Sequence, residues 1–358
     1  DEDDDAAAAA APGRGAPVGV ATSAAAAEPR SDAAAREPQR HHQQPLPSSS
    51  SSSTAAEAPR GQLERVWVTG ASSGVGEAVA LRYAQRGAQL VLSARRQERL
   101  EAVAARCVHL GAADAKPVAL DQASTTENDV IIDRALATFG GVDVVVLNGG
   151  VGTRGPALET DAATLERVMR VNFLSQTEIA RRAALDMRTR GVRGRLVVTS
   201  SVQGYFGLPE RAAYAASKHA LHGYFDSLRA ELAASGISVT VVAPGYVRTA
   251  LSENAVMPDG SAYGRTDKTT LRGADPSVVA QRIVRAADRR EPEVLVRPGV
   301  SAVVAMYLRV LLPQLLFGLT ARRAAKQQSA LQPREAEDAA TGAGASTRKG
   351  GSSSYKQD

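Results

Sequence analysis

One cysteine, Cys107, in 358 residues excludes an internal disulfide framework, so the fold has to be held by its core. In the apolar setting AARCVHL this thiol is expected to be buried and to sit in a reducing compartment. Aromatic residues are scarce too, at 4%, which leaves little for nucleobases to stack on. The net charge is +5, but the arginines are scattered through helical segments beside acids, so nucleic acid is not expected as a partner. No metal site is expected. Long apolar runs are missing from residues 1–60, and nothing there could span a membrane.

Those first residues are instead of low complexity. The acidic run DEDDD, alanine tracts and the serine run Ser48 to Ser53 cannot bury enough apolar surface to fold, and 1–61 is expected to be a disordered tail. The sequence starts at Asp1 and not at a methionine, which leaves room for an upstream signal or anchor. Residues 331–358 are polar and are expected to be a second disordered tail. Between the tails, 62–298 has the length and patterning of one domain.

Strand and helix alternate through that domain. LERVWVTG reads as a strand ending in a turn, and GEAVALRYAQRG as a helix closed by Gly87. Then follow QLVLSAR, a helix RQERLEAVAARC, a strand KPVAL, a helix TENDVIIDRALATFG, and the β-branched run VDVVVLN at 142–148. Two helices at about 161–190, a strand at 194–200, a helix at about 212–235, a strand at 237–245, a helix at about 276–289 and a strand at 293–296 complete the series. Such alternation predicts an α/β fold, a single Rossmann-type, doubly wound parallel sheet of about seven strands flanked by helices.

Directly after the first strand comes TGASSGVG, with Gly70, Gly74 and Gly76 around Ser72, Ser73 and Val75. Between a strand and a helix this pattern allows a tight turn, and the helix N-terminus offers free N–H groups to a pyrophosphate, so a dinucleotide is expected. At the end of the second strand a carboxylate would bind a ribose 2′-hydroxyl and repel a 2′-phosphate. Here Ala94 is followed by Arg95 and Arg96, and guanidiniums favour the phosphate, hence NADP(H). Asp121 is placed to touch the adenine edge, and Asn148, Gly149 and Gly150 close the fourth strand where backbone runs beside the cofactor.

Tyr214 and Lys218, four apart in YAASK, share a helix face. An ammonium beside a phenol lowers its pKa and makes tyrosine a usable proton donor and acceptor. Upstream stand Ser200 and Ser201, which strand alternation puts on opposite faces.

With TGASSGVG, Asp121, Asn172 in VNFLS, Ser201, Tyr214 and Lys218, and the PG of Pro244 and Gly245 leading through Val247 to Thr249, the chain resembles the short-chain dehydrogenase/reductase family. The resemblance covers residues 63–297 and implies a role for each residue. Ser201 would hold a ketone oxygen, and Tyr214 would protonate it as hydride arrives. Lys218 would hold the nicotinamide ribose, and Asn172 would anchor a water that returns the proton. Pro244, Gly245, Val247 and Thr249 would lie along the nicotinamide. The resemblance also implies a homodimer through the helices at about 161–190 and 212–235. One departure is that Leu147, Asn148, Gly149 and Gly150 stand where the family usually reads NNAG, so altered packing is expected at that strand end.

The C-terminal third, including LSENAVMPDGSAYGRTDKTT, resembles a membrane-associated group within the family, found at the endoplasmic reticulum or peroxisome. That group is linked to reduction of acyl-dihydroxyacetone phosphate, which implies a lipid-like ketone or alcohol as substrate. Steroid, retinoid or 3-keto-sphingoid substrates would use the same residues, and a nucleotide-binding scaffold without turnover is the other alternative. Tyr205, Phe206, Leu208, Tyr246 and the loop at 251–273 are expected to shape the pocket. The segment 299–330 is apolar, but Arg309, Pro313 and Gln314 interrupt it and Arg322, Arg323 and Lys326 follow. It is expected to lie on a membrane surface through 299–326 rather than to cross it.

Overall fold

Short β-branched runs between glycine-rich turns become strands because both of their faces find cover. The computed structural model describes residues 63–126 and 128–326; the tails read at 1–61 and 331–358 lie outside these, as do residues 327–330. The strands are β1 (Arg65–Thr69), β2 (Gln89–Ala94), β3 (Asp114–Ala119), β4 (Val144–Leu147), β5 (Arg195–Thr199), β6 (Ser238–Pro244) and β7 (Glu293–Val296). They form one all-parallel sheet in the order β3-β2-β1-β4-β5-β6-β7. Helices alternate with these strands, beginning with α1 (Gly74–Ala84), α2 (Gln97–His109), α3 (Asn128–Ala137), α4 (Ala162–Met169) and α5 (Ser175–Thr189). Further along come α6 (Ala212–Leu232), α7 (Lys268–Leu271), α8 (Pro276–Asp288) and α9 (Val300–Leu311).

The central strands feed two cores. Val66 and Val68 of β1 pack with α1, α2 and α8 on one face, while Trp67 packs with α3, α5 and α6 on the other. All three side chains are fully buried, which is why β1 and β4 read as continuous apolar runs without alternation. Each is worth roughly 1.5–3 kcal/mol of burial. The indole N–H of Trp67, the one polar atom this places inside, donates to Ser93 Oγ at 3.0 Å. The strand order turns back between β1 and β4, and the crevice at the carboxyl ends of these two strands is where a doubly wound sheet receives its ligand.

Three details go beyond the sequence reading. The expected helices at 161–190 are joined by a π-helical turn, Arg170–Leu174, whose extra residue turns Asn172 wholly inward. The loop at 251–273 carries the short helix α7. The apolar C-terminal segment is broken at Leu312, whose backbone (φ −140°, ψ 62°) leaves the helical region as the residue before Pro313 must, and helix resumes over 313–326. Ala302 and Leu316 from these two stretches pack onto Val202 and Phe206. No helix among the described residues is long and apolar enough to cross a membrane.

At the opposite, amino end of the strands, Asp143 accepts bonds from the Arg65 backbone N–H and Nε, both at 3.0 Å, and from Arg65 Nη2 at 2.7 Å. Burial alone would push its carboxyl up, but Arg65, helped by Arg190, holds it below its ordinary value. Asp143→Ala leaves the largely buried Arg65 without its carboxylate, and is expected to lower stability in urea by roughly 2–3 kcal/mol at pH 7 without changing nucleotide binding. That deficit shrinks as pH falls below the carboxylate range, where the wild-type carboxyl is itself protonated.

Candidate active site

The crevice is built from a turn that only glycine permits. Gly70 (φ +64°) and Gly74 (φ +62°) are left-handed, and a Cβ on Gly70 would stand 2.9 Å from the Gly149 Cα. A Cβ on Gly76 would run into the Gly70 carbonyl oxygen. Ser73 N-caps α1 in an extended conformation, yet its side chain makes no capping bond, so the first-turn amides keep no side-chain acceptor. A cradle closed to side chains beside an uncapped helix start fits a pyrophosphate.

The remaining cofactor-side residues gather around one cleft of about 300 Å³, whose walls include Ser72, Val75, Arg95, Arg96, Asp121 and Asn148. Gly150, Pro244, Gly245, Val247 and Thr249 line it as well. Arg96 Nη2 reaches Ser72 Oγ at 3.5 Å, and burial together with Arg99 and Arg95 lowers its pKa, so this corner holds more positive charge than it neutralises. Asp121 stiffens its own loop by accepting the Ala123 N–H at 3.0 Å. Thr69 Oγ1 accepts from the Asn148 and Gly149 amides at 3.0 and 3.2 Å, which pins the end of β4 to β1. The Gln122 side chain fills the space that a Cβ at 149 would need. From the other side Gln176 Nε2 donates to the Gly149 carbonyl at 2.5 Å. Neither glutamine was singled out in the sequence, because its role depends on a neighbour's missing methyl.

At the other end the Asn172 amide closes on Val151. Its Oδ1 accepts the Val151 N–H at 2.8 Å, and its Nδ2 donates to the Val151 carbonyl at 2.9 Å and to Ser217 Oγ at 3.0 Å. Both Nδ2 donors of Asn172 are thus taken up by the protein, while its Oδ1 accepts one bond. Ser217 Oγ donates in turn to the Tyr214 carbonyl at 2.8 Å. Ser200 and Ser201 part as alternation predicts: Ser200 Oγ lies 2.9 Å from His222 Nε2, whereas Ser201 Oγ accepts the Gln203 N–H at 3.1 Å and acts on the Tyr214 phenol, pulling its pKa down.

Tyr214 and Lys218 are both buried, and burial moves them in opposite directions. It raises the Tyr214 phenol above its ordinary value, and it lowers Lys218 to about 8. The ammonium lies 5.7 Å from the ring centroid and donates to the Thr199 carbonyl at 2.8 Å, and the groups that pull the phenol down are Ser201, Arg154 and Arg211. The result is a phenol that keeps its proton, the form needed to donate it. Arg154 and Arg211 line the cleft and were missed; Arg211, three residues before Tyr214 and so one helical turn away, could have been found from that spacing. Of the expected pocket residues, Tyr246 and parts of the 251–273 loop line the cleft, but Tyr205, Phe206 and Leu208 pack beneath the C-terminal helices.

A family model described as short chain dehydrogenase matches residues 64–259. The chain belongs to the short-chain dehydrogenase/reductase family. It is therefore an oxidoreductase with a nicotinamide-nucleotide fold. A dehydrogenase/reductase SDR family protein 7-like from Drosophila melanogaster is 40% identical over 268 residues, covering 74% of this chain and 82% of that one. Dehydrogenase/reductase SDR family member 7B from Danio rerio is 40% identical over 274 residues, covering 75% and 88%. A short-chain dehydrogenase structure from Streptomyces avermitilis superposes with a TM-score of 0.61 at 29% identity, over 75% of this chain and 98% of the other.

The buried lysine of this short-chain dehydrogenase should oppose its own stability. Below about 8 Lys218 is charged in folded and unfolded chains, and the folded one bears the desolvation cost. Between about 8 and the ordinary 10.5 only the unfolded chain is charged, so the folded state gains with rising pH. Lys218→Met is expected to be more stable than wild type by roughly 1–3 kcal/mol at pH 7 in urea titrations without nucleotide, with the gap closing as pH rises.

Proposed function

We propose that this enzyme uses NADP(H) to reduce a ketone on a lipid-like substrate. The observation that carries the reading is the arrangement of Ser201 on the Tyr214 phenol, with Lys218 buried behind it in the cleft where β1 and β4 diverge. A reduced nicotinamide, when bound, supplies the hydride. Ser201 would polarise the ketone oxygen, Tyr214 would give it a proton, and Lys218 would hold the nicotinamide ribose. Proton donation of this kind is worth about 10²- to 10⁴-fold. The NADP(H) preference rests on Ala94 where a carboxylate would stand and on the charge excess of Arg95 and Arg96.

The lipid-like substrate and a membrane surface as partner are supported by the C-terminal helices. Val300, Val304, Tyr307 and Leu311 form one exposed stripe of α9, while Ala302 faces the domain. Arg322, Arg323 and Lys326 are exposed at the end of the segment and suit anionic headgroups. Acyl-dihydroxyacetone phosphate is the first substrate to try, set against steroid, retinoid and 3-keto-sphingoid ketones.

Tyr214→Phe is expected to keep NADPH affinity, read by nucleotide fluorescence, while turnover falls by about 10²-fold or more; a variant reducing substrate at near wild-type rate would end the catalytic reading. Arg95→Ala with Arg96→Ala should weaken NADPH and leave NADH nearly unchanged, and equal loss of both would remove the 2′-phosphate assignment. In liposome flotation the full chain is expected to rise with anionic vesicles and a chain lacking 299–358 to stay behind.

A further inference from the structure

Two guanidiniums share one carboxylate beside Tyr214. Arg154 Nε donates to Asp267 Oδ2 at 3.0 Å, and Arg211 Nη2 reaches the same oxygen at 3.3 Å. Tyr263 donates its hydroxyl to the other oxygen at 3.2 Å, and Arg154 also lies over the Tyr263 ring. All three charged side chains are largely buried, at 12%, 18% and 15% exposure for Arg154, Arg211 and Asp267. Two cations against one anion leave a positive charge that solvent does not screen. Glu210 exerts a weaker pull on Arg211 but does not line the cleft.

The excess charge faces the reaction site. Arg154 and Arg211 both line the cleft, and both act on the Tyr214 phenol. Arg211 is the less satisfied of the two. Besides its long bond to Asp267, the described residues offer it only the Glu210 carbonyl, at 3.3 Å, although a guanidinium carries five N–H donors. Burial, and then Arg154, lower its pKa to about 10, so its charge is held at a cost. Two features of the backbone add to this. Glu210 is held left-handed at φ +62° immediately before it, and Arg211 itself caps α6, a 21-residue helix with no acid in its first turn.

We infer that Arg154 and Arg211 form an anion subsite for the head of the substrate, a phosphate or a carboxylate carried close to the ketone. The inference rests on the ketone-reducing reading above and narrows it to anionic ketones. A doubly bonded head group next to Arg211 would supply the missing acceptor and cancel the surplus charge, and one helical turn separates it from the proton donor. A neutral ketone would leave both arginines as they are.

The test uses binding, so that it does not depend on knowing the substrate. Octyl phosphate, octanoate and octanol are titrated calorimetrically into the protein loaded with NADP+, for wild type and for Arg211→Gln, Arg154→Gln and Asp267→Asn. Wild type is expected to prefer at least one of the two anions over octanol by about tenfold or more. Which anion it prefers separates a phosphate head from a carboxylate head. Arg211→Gln and Arg154→Gln should erase the preference, and Asp267→Asn, which removes the competing carboxylate, should widen it. Equal binding of all three compounds by wild type overturns the subsite, as does a preference that survives Arg211→Gln. A preference lost in Arg95→Ala and kept in Arg211→Gln would place the anion at the nucleotide end and overturn it too. NADP+ affinity is read in the same samples. If wild type fails to bind NADP+, the cofactor reading falls, and the anion comparison is run without nucleotide.

Discussion

The two-point closure of Asn172 on Val151 is the constraint the site depends on. Through one buried amide it fixes the chain leaving β4, and through Ser217 it reaches the carbonyl of Tyr214. The π-helical turn is the backbone's accommodation to this, because an extra residue in the turn carries the amide inward from a helix that otherwise presents its polar face outward. The cofactor wall and the proton donor belong to elements far apart in sequence, and the Asn172 side chain ties them together. A shorter or longer residue at 172 would cost both ends at once.

Desolvation is the physical term that prepares the reacting groups. The same burial raises a phenol and lowers an ammonium, which drives their proton affinities apart, so that the phenol holds its proton more tightly than the ammonium does. The arrangement opposes stability and serves chemistry, as active sites often do. The arginine pair beside Tyr214 follows the same logic, with charge held in a dry place until a partner arrives.

Much of this was legible in the sequence, for physical reasons. β4 announced itself through an unbroken apolar run because both its faces are covered, and the glycines of the first turn through positions where a Cβ has no room. The helix spacing of Tyr214 and Lys218 and the strand alternation of Ser200 and Ser201 are local geometry, and local geometry survives translation into sequence. What did not survive was anything set by long-range neighbours. Arg154 and Asp267 meet across 113 residues. Gln122 matters because Gly149 lacks a methyl, and nothing in VNFLS reveals Val151 beside Asn172. Tyr205, Phe206 and Leu208 read as pocket aromatics and aliphatics until the C-terminal helices were seen to cover them.

The strand order has a consequence in time. β1 pairs with β2 within a short stretch of chain, but its other neighbour is β4, and the Arg65 to Asp143 bond beside that pairing spans 78 residues. The glycine turn after β1 is therefore made early in synthesis and stands open, since the Gly149 wall that closes it arrives only with the fourth strand. The pyrophosphate turn, Arg95 and Arg96 come from the first half of the sheet, whereas Gly149, Tyr214 and Lys218 come from later in the chain, so the complete cleft exists only once the two halves have met.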